Sequence, residues 1–429
     1  MTLLRNVLII SIVFLQSGIS YYISAQILAL AILFWLAFKN KFKVDSFHMA
    51  LVVGTLFSIT FIFSAVANPE LVLSSGAFLP HRALLIDVFA FLFLIFSGIS
   101  FLHIAQVRCM LAVAKVVILL LLLFAIIGEV WESSLFGRWS MYQQNIGLIT
   151  NYMSLEQIQN FRDYATSIEI LPRVDLTYGE PSFLALVVFC LAVSVVVGHE
   201  TLERLGDRPK NQAFIAVTSP GLFVWSVALF CAWIGSLSGS IYAIFLASYA
   251  SIPIITSRKL SRSMVNRLAV VVSSFVALLA VLLPYLTQRF GNISSSLSFS
   301  QRFDTFSEFS VMSLMLGGVA AETPTTIGFH NGLAFVLYSG GFAGVLFVFW
   351  TALMLWRKPL GLSTRLLAIG ALLAIYSQNG AVFSPNKLVL LAFVAWPCIS
   401  PTVTSKRASR LSIRAANGAP MTAASASER

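Results

Sequence analysis

Charged side chains are scarce in this chain of 429 residues, and their scarcity decides its class. Asp, Glu, Lys and Arg make up only 10% of the sequence, whereas 58% of the residues are hydrophobic and the mean hydropathy is +0.88. A soluble domain of this composition would aggregate, because it has too few polar side chains to cover its surface. The composition therefore predicts an integral membrane protein, for which lipid is the solvent.

The chain also lacks the usual signs of disulfides, metals and nucleotides. Its four cysteines, at positions 109, 190, 231 and 398, form no CxxC pair, and its histidines are not clustered. A disulfide framework and a metal site are therefore not expected. The sequence contains no glycine-rich nucleotide-binding loop, and the long loops described below contain no DxD-like metal motif. We expect chemistry that needs no cofactor.

Long apolar runs recur along the chain instead. Runs of about 18 to 25 residues can cross a hydrocarbon core as helices, and they predict an all-α polytopic membrane protein with about twelve transmembrane helices. They lie near residues 3–20, 21–38, 48–67, 83–102, 107–128, 181–198, 214–235, 239–256, 268–286, 331–354, 366–379 and 386–400. Residues 1–400 would form a single integral membrane domain, and 401–429 a basic cytoplasmic tail that we expect to be disordered.

The distribution of lysine and arginine predicts the orientation of these helices. If both termini are cytoplasmic, 20 of the 28 basic residues lie inside, and this asymmetry is typical of the positive-inside rule. Lys115 lies within a span, and seven basic residues lie outside: Arg82, Arg138, Arg162, Arg173, Arg289, Arg302 and Lys387. Basic residues spread over short cytoplasmic loops contact anionic headgroups, so the net charge of +11 does not indicate a nucleic acid partner.

Two long loops, residues 129–180 and 287–330, lie on the outer side in this topology. Long loops in compact proteins are usually functional or disordered. In the first loop, residues 154–157 have the spacing of a helix capping box, and apolar residues then recur at helical intervals up to Ile168. The pattern predicts an amphipathic helix on the bilayer surface. Such a helix is either a spacer or a lid over a substrate.

The first loop ends in a polar segment that carries two candidate site residues. Glu180 precedes Pro181, a residue suited to the first turn of a helix, so the carboxylate lies at a helix mouth. The helix dipole alone would stabilise it there; the functional alternative is that Glu180 orients an arginine or accepts a proton. Arg173 is either an interfacial anchor or a bidentate ligand for phosphate.

The second loop carries a similar set. Arg289 directly follows an apolar run and suits an anchor, whereas Arg302 is far enough along the loop to turn back towards a site. His330 stands where the next helix begins, and a helix N-terminus favours the neutral imidazole that a general base requires. The alternative is a histidine that caps the helix. Glycines 340, 341 and 344 follow in that helix and would permit close helix contact.

The segments Arg173 to Ser182 and His330 to Gly344, together with the long loop that contains Arg302, resemble the O-antigen ligase and Wzy-type O-antigen polymerase superfamily. The resemblance implies a metal-independent, inverting glycosyltransferase of the bacterial inner membrane, with its active site facing the periplasm. Its substrate would be an undecaprenyl-diphosphate-linked oligosaccharide held in membrane lipid, and a chain-length regulator protein would be a possible partner. By analogy the diphosphate would be bound by Arg173 and Arg302, with Arg289 and Arg82 as further candidates, and the acceptor hydroxyl would be assisted by His330 or Glu180.

Three functions remain open at this point. A polymerase of lipid-linked repeats is favoured, and a ligase that transfers the glycan to a lipid A core differs from it only in the acceptor. The alternative from another class is a flippase for the same lipid-linked sugar. Charged residues within spans, here Asp87 and Lys115, are typical of transport paths. Against a transporter, the sequence shows no matching halves.

Overall fold

The structure is a computed structural model, and it describes residues 2–13, 25–39, 43–67, 80–100, 104–130, 181–205, 310–317, 332–377 and 384–398. These residues are mostly helical. Their ten helices are α1 Thr2–Val13, α2 Ala25–Lys39, α3 Phe47–Ala67, α4 Pro80–Gly98, α5 Ile104–Val130, α6 Pro181–Arg204, α7 Val311–Leu316, α8 Gly332–Trp356, α9 Leu362–Ser377 and α10 Pro385–Ala395.

Nine of these helices coincide with apolar runs of the sequence. The agreement is close for α3 and α5, predicted at 48–67 and 107–128. By length and composition, two helical segments, Ile104–Leu121 and Phe183–Arg204, are long and apolar enough to cross a membrane, and six shorter apolar helices accompany them in the described residues. The runs predicted at 214–235, 239–256 and 268–286 lie outside the described residues.

The prediction of an all-α fold is wrong in one detail. Lys43–Val44 (β1) and Ile99–Ser100 (β2) form a short antiparallel pair in which Lys43 is opposite Ser100 and Val44 is opposite Ile99. Each strand lies in the connection between two helices, where the backbone has left the helical hydrogen-bonding pattern. The pairing gives hydrogen-bond partners to backbone groups of the buried strand β2, and helical periodicity could not predict it.

The centre of the bundle consists of α6 and α10. Helix α10 packs against α2, α4, α6 and α9, and all its residues from Lys387 to Ala395 are buried. Helix α6 packs against α5, α9 and α10 and is buried from Phe183 to Gly198. A helix that is apolar on every face needs neighbours all round it, which explains why these two occupy the core.

Large apolar side chains also face outward from the surrounding helices. Trp35 and Phe38 of α2 are 55% and 70% exposed, Ile59 of α3 is 59% exposed, and Phe349 of α8 is 65% exposed. Monomeric soluble proteins rarely expose large contiguous apolar patches, so such a surface is typical of contact with lipid or with other protein segments.

One end of the bundle, which we call the basic end, holds most of the cations of the described residues. It is where β1, β2 and the connection between α8 and α9 meet. Of the eleven lysines and arginines described, eight lie in or next to the helix ends there: Arg5, Lys39, Lys43, Arg108, Arg204, Arg357, Lys358 and Arg365. Lys39 lies 4.9 Å from the Trp35 ring centroid and Arg365 lies 5.7 Å from that of Trp356, which are distances typical of cation–π pairs.

The helices alternate in direction relative to the basic end. Helices α4, α6, α8 and α10 end there: the Asp45 backbone N–H donates to the Gly98 carbonyl, the Gly361 backbone N–H donates to the Glu200 carboxylate, and Pro397 lies beside Gly198. Helices α3, α5 and α9 begin there, because each follows directly from these connections. The starts of α4 and α6 therefore lie at the opposite end, which we call the proline end after Pro80 and Pro181.

Candidate functional site

The structure describes one of the six predicted site residues. Arg82 lies in the first turn of α4, and only its backbone position is described. The other five lie outside the described residues, as does the amphipathic helix predicted from residue 154: Glu180, Arg173, Arg289, Arg302 and His330. In the sequence, Glu180 immediately precedes α6 and His330 stands two residues before α8.

Two contacts near the basic end fix the relative heights of α4, α6 and α10. The rings of Phe96 in α4 and Trp396 after α10 have centroids 4.9 Å apart, so these positions are level. A Cβ built on Gly198 of α6 would lie 3.7 Å from the Pro397 Cβ, so these are level as well. We take the level of these contacts as the reference and measure height from it towards the proline end. A rise of about 1.5 Å per residue then gives the height at which each helix begins.

The starts of α4 and α6 are level, and α10 begins below them. Pro80 lies about 24 Å above the reference, Pro181 about 26 Å and Pro385 about 17 Å. The start of α10 is thus recessed by about 8 Å, roughly one and a half helical turns. Proline stands first in all three helices, where its missing N–H costs no hydrogen bond. Arg82 in the first turn of α4 and Pro181 at the start of α6, nearly a hundred residues apart in sequence, therefore lie at the same end and at similar heights.

The recessed start of α10 is polar. The Ser384 hydroxyl donates to Asn386 Oδ1, and the Lys387 backbone N–H donates to the same oxygen at 2.9 Å. Ser384 and Asn386 are half-buried, whereas Lys387 is only 2% exposed. The topology predicted from the sequence counts Lys387 among the outside cations, and the structure shows that its side chain is buried in the first turn of α10. The Ser-Pro-Asn sequence before an apolar run was the available signal for this helix start.

Helix α8, expected as one uninterrupted span at 331–354, is interrupted, and that expectation is corrected. Gly341 has φ 49° and ψ −129°, far from helical values, so the helical segments before and after it have different axes. The physical reason is the pair Gly340-Gly341, because glycine alone adopts such a conformation without a steric penalty from Cβ. His330 therefore precedes a short segment, Gly332–Gly340, whose direction is set by this bend.

Part of the second predicted loop, residues 287–330, packs on the same helix. Helix α7, within this loop, packs against α8. Val311 begins α7 nine residues after Arg302 in the sequence.

At the basic end, Lys358 joins three separate connections. Its ammonium group is buried and donates to the carbonyl of Ile99 and, at 3.2 Å, to the Ser100 hydroxyl. Asp45 Oδ2 lies 4.0 Å from the same nitrogen and accepts from Ser100 at 3.1 Å. Burial lowers the pKa of Lys358, whereas Cys398 and Asp45 oppose that shift. From the sequence, Lys358 is counted only among the basic residues that predict topology. No local pattern predicts that its side chain turns into the bundle.

A second set of polar interactions at the basic end connects α6 to the turn between α8 and α9. Glu200 accepts from the Gly361 backbone N–H and forms an ion pair with Arg204 at 2.6 Å. These interactions, like those of Lys358, hold helix ends together. We assign the basic end a structural role and the proline end the candidate site.

Comparison with known proteins adds no family to this picture. No protein-family model matches the chain, and neither a curated protein nor a solved structure matches it. Within the described ranges, no group of three or more His, Cys, Asp or Glu side chains could hold a metal ion.

Proposed function

We propose that this protein is a membrane-embedded glycosyltransferase that joins undecaprenyl-diphosphate-linked glycan repeats, as a polymerase of O-antigen or exopolysaccharide. The observation that supports the proposal is the similar height of the starts of α4 and α6 at the proline end, far from the interactions that join the helices at the basic end. Arg82 lies in the first turn of α4, and Glu180 is the residue before α6 in the sequence.

The exposed apolar surface supports a multi-pass membrane location for this enzyme. Side chains such as Trp35 and Phe349 face outward, and two helical segments have the length and composition of spans. With the basic end in the cytoplasm, as the positive-inside rule predicts, the proline end faces the periplasm of a bacterial inner membrane. There a lipid-linked donor would reach the site from the bilayer.

The proposed reaction is an inverting displacement. The acceptor hydroxyl attacks the anomeric carbon of the donor, its proton passes to His330 or Glu180, and the bond from that carbon to the diphosphate oxygen breaks. The departing lipid diphosphate gains negative charge, which Arg173 and Arg302 stabilise, with Arg82 and Arg289 as further cations. Arginine suits this role because its planar fork binds two phosphate oxygens and remains charged at any working pH.

The lipid-linked glycans of cells that lack this protein test the proposal. Single lipid-linked repeats accumulating on the periplasmic side would support a polymerase. Long lipid-linked chains left unattached would indicate the ligase, in which the acceptor is a lipid A core. Repeats trapped on the cytoplasmic side would contradict both enzymes.

A flippase for the same lipid-linked sugar is the second candidate, and Lys387 favours it. A lysine that is 2% exposed in the centre of an apolar bundle is the kind of charge found along transport paths. Its position near the recessed start of α10 is equally suited to the polymerase, where it would add a cation close to the diphosphate. Lipid-linked repeats that accumulate on the cytoplasmic side of the membrane in the deletion strain would support the flippase.

A further inference from the structure

One side of α8 is apolar and exposed from the bend at Gly341 to the basic end. It consists of four exposed side chains at helical spacing: Phe342, Val345, Phe349 and Trp356. Steps of three, four and seven residues place them on one face of the helix, which we call the α8 stripe. The stripe is about 21 Å long and so spans more than half of a hydrocarbon core of about 30 Å.

Two arginines lie where the α8 stripe reaches the basic end. Arg357 follows Trp356 directly and is exposed, and the Arg365 guanidinium carbon lies 5.7 Å from the Trp356 ring centroid. Within the described ranges neither arginine forms an ion pair. The carboxylate of Asp45 accepts a hydrogen bond from a serine of β2, and that of Glu200 pairs with an arginine of its own helix. The two guanidinium charges therefore remain for an anion from outside the described chain.

Hydrogen bonds to the protein hold both guanidinium groups at this end of the stripe. Arg357 Nη1 donates to Ser46 Oγ at 3.1 Å, just before α3 begins, and Arg365 Nε donates to the Leu360 carbonyl at 2.7 Å. A guanidinium has five N–H donors, so each arginine keeps further donors for another acceptor. Because the side chains are already held, binding a ligand costs less conformational entropy.

We propose that this face binds an anionic phospholipid of the cytoplasmic leaflet, with its phosphate at Arg357 and Arg365 and an acyl chain along the α8 stripe. The inference rests on the membrane location in the proposed function. Arginine suits the phosphate because its planar fork binds two oxygens, and tryptophan is typical of the headgroup level. A soluble phosphate compound would use the cations alone, whereas a phospholipid matches both the charged end and the apolar length of the face.

Helix α2 supplies a matched control. Trp35 and Phe38 are exposed on it, and Lys39 Nζ lies 4.9 Å from the Trp35 ring centroid. This face also combines an indole, apolar side chains and a cation at the basic end, but it has one ammonium group in place of two guanidinium forks. Lys39→Gln therefore removes one unit of charge from the same end without touching the proposed lipid site.

The purified full-length protein in detergent is titrated with phosphatidylglycerol, and the bound lipid is counted by native mass spectrometry. Phosphatidylcholine with the same acyl chains is the reference. We expect the first phosphatidylglycerol to bind more tightly than the first phosphatidylcholine. Arg357→Gln and Arg365→Gln should each raise the Kd of that phosphatidylglycerol about five-fold, the usual contribution of one basic residue near an anionic lipid surface. Lys39→Gln should leave this Kd unchanged.

Three results would overturn the inference. Equal weakening by Lys39→Gln would mean that the general charge of the basic end, and not this face, attracts the lipid. Equal affinity for the two lipids would mean that the arginines do not select an anion. Displacement of phosphatidylglycerol by excess glycerol phosphate, which has no acyl chain, would assign the arginines to a soluble ligand.

Two further measurements keep the test decisive. If Arg357→Gln does not accumulate because it loses the bond to Ser46, Arg357→Lys is titrated in its place, and we expect it to bind phosphatidylglycerol more weakly than the parent because lysine lacks the fork. Extraction of cell membranes with alkaline carbonate tests the membrane location separately. Release of the parent would refute that location, whereas a parent that stays in the membrane but does not prefer phosphatidylglycerol would refute this inference alone.

Discussion

The buried ammonium of Lys358 makes a prediction about stability that depends on pH. Lys358 is 1% exposed, and burial disfavours its charged form more strongly than Asp45 at 4.0 Å favours it. The pKa of Lys358 is therefore lowered in the folded protein. Between this lowered pKa and the ordinary lysine pKa of about 10.4, the unfolded chain binds more protons, so the free energy of unfolding rises with pH.

Lys358→Met isolates this effect, because methionine has a similar length and does not titrate. The substitution removes the Nζ donor from the buried carbonyl of Ile99, a loss of about 1 to 3 kcal/mol, which relief from burying the amino group partly offsets. As the pH rises, only the parent gains stability, by at most about 1.4 kcal/mol per pH unit from this one group. The free energy of unfolding of the parent minus that of the variant should therefore increase as the pH rises.

The assay is the unfolding midpoint of the purified protein in detergent, followed by tryptophan fluorescence at pH 7.5 and 9.5. Taking the difference between parent and variant at each pH cancels the other titrating groups. Lys43→Met, which removes an exposed lysine at the same end, should show a difference that does not change with pH. A decrease of this difference for Lys358→Met as the pH rises would refute the reasoning. It would mean that Asp45 raises the pKa of Lys358 more than burial lowers it.

Two further predictions concern the outer face. In a cysteine-free background, single cysteines at Asn151 and Ser295 should react with an impermeant thiol reagent added outside spheroplasts, and one at Asn211 should not; labelling at 211 would overturn the orientation. Arg302→Lys keeps the charge but loses bidentate geometry, so losing a charge-assisted bond of about 1.5 to 3 kcal/mol should slow turnover about ten- to a hundred-fold. Arg289→Lys should slow turnover less than Arg302→Lys, because Arg289 directly follows an apolar run and suits an anchor, and equal activity of both variants would place Arg302 in the anchor class as well.

The described helices were largely predictable because apolar periodicity and length are local properties. The runs at 48–67 and 107–128 are the helices Phe47–Ala67 and Ile104–Val130. The break at Gly341 was not predicted, although the glycines were noticed, because a glycine pair permits a bend without requiring it. The packing around the bend depends on long-range contacts as well: Phe57 and Val336 occupy the space beside Gly340 and Gly344.

The site could be predicted in part. Pro181 correctly marked the start of α6, directly after Glu180 in the sequence. The recessed start of α10 and the inward turn of Lys358 could not be predicted, since both depend on contacts between residues far apart in sequence. Trp396 packs on Phe96, and Lys358 bonds to Ile99. No local sequence pattern predicts contacts between residues that are so far apart in the chain.

Reconstitution tests the central claim most directly. The purified protein in liposomes receives a lipid-linked oligosaccharide without nucleotide or divalent metal, and the glycans are separated by gel. We expect the parent to join glycans and His330→Gln, which keeps hydrogen bonding but cannot accept a proton at neutral pH, to do so about a hundred- to ten-thousand-fold more slowly. Full activity in His330→Gln would contradict the role of His330 as the base. Failure of the parent to join glycans, together with movement of the lipid across the bilayer, would contradict the enzyme and establish a transporter.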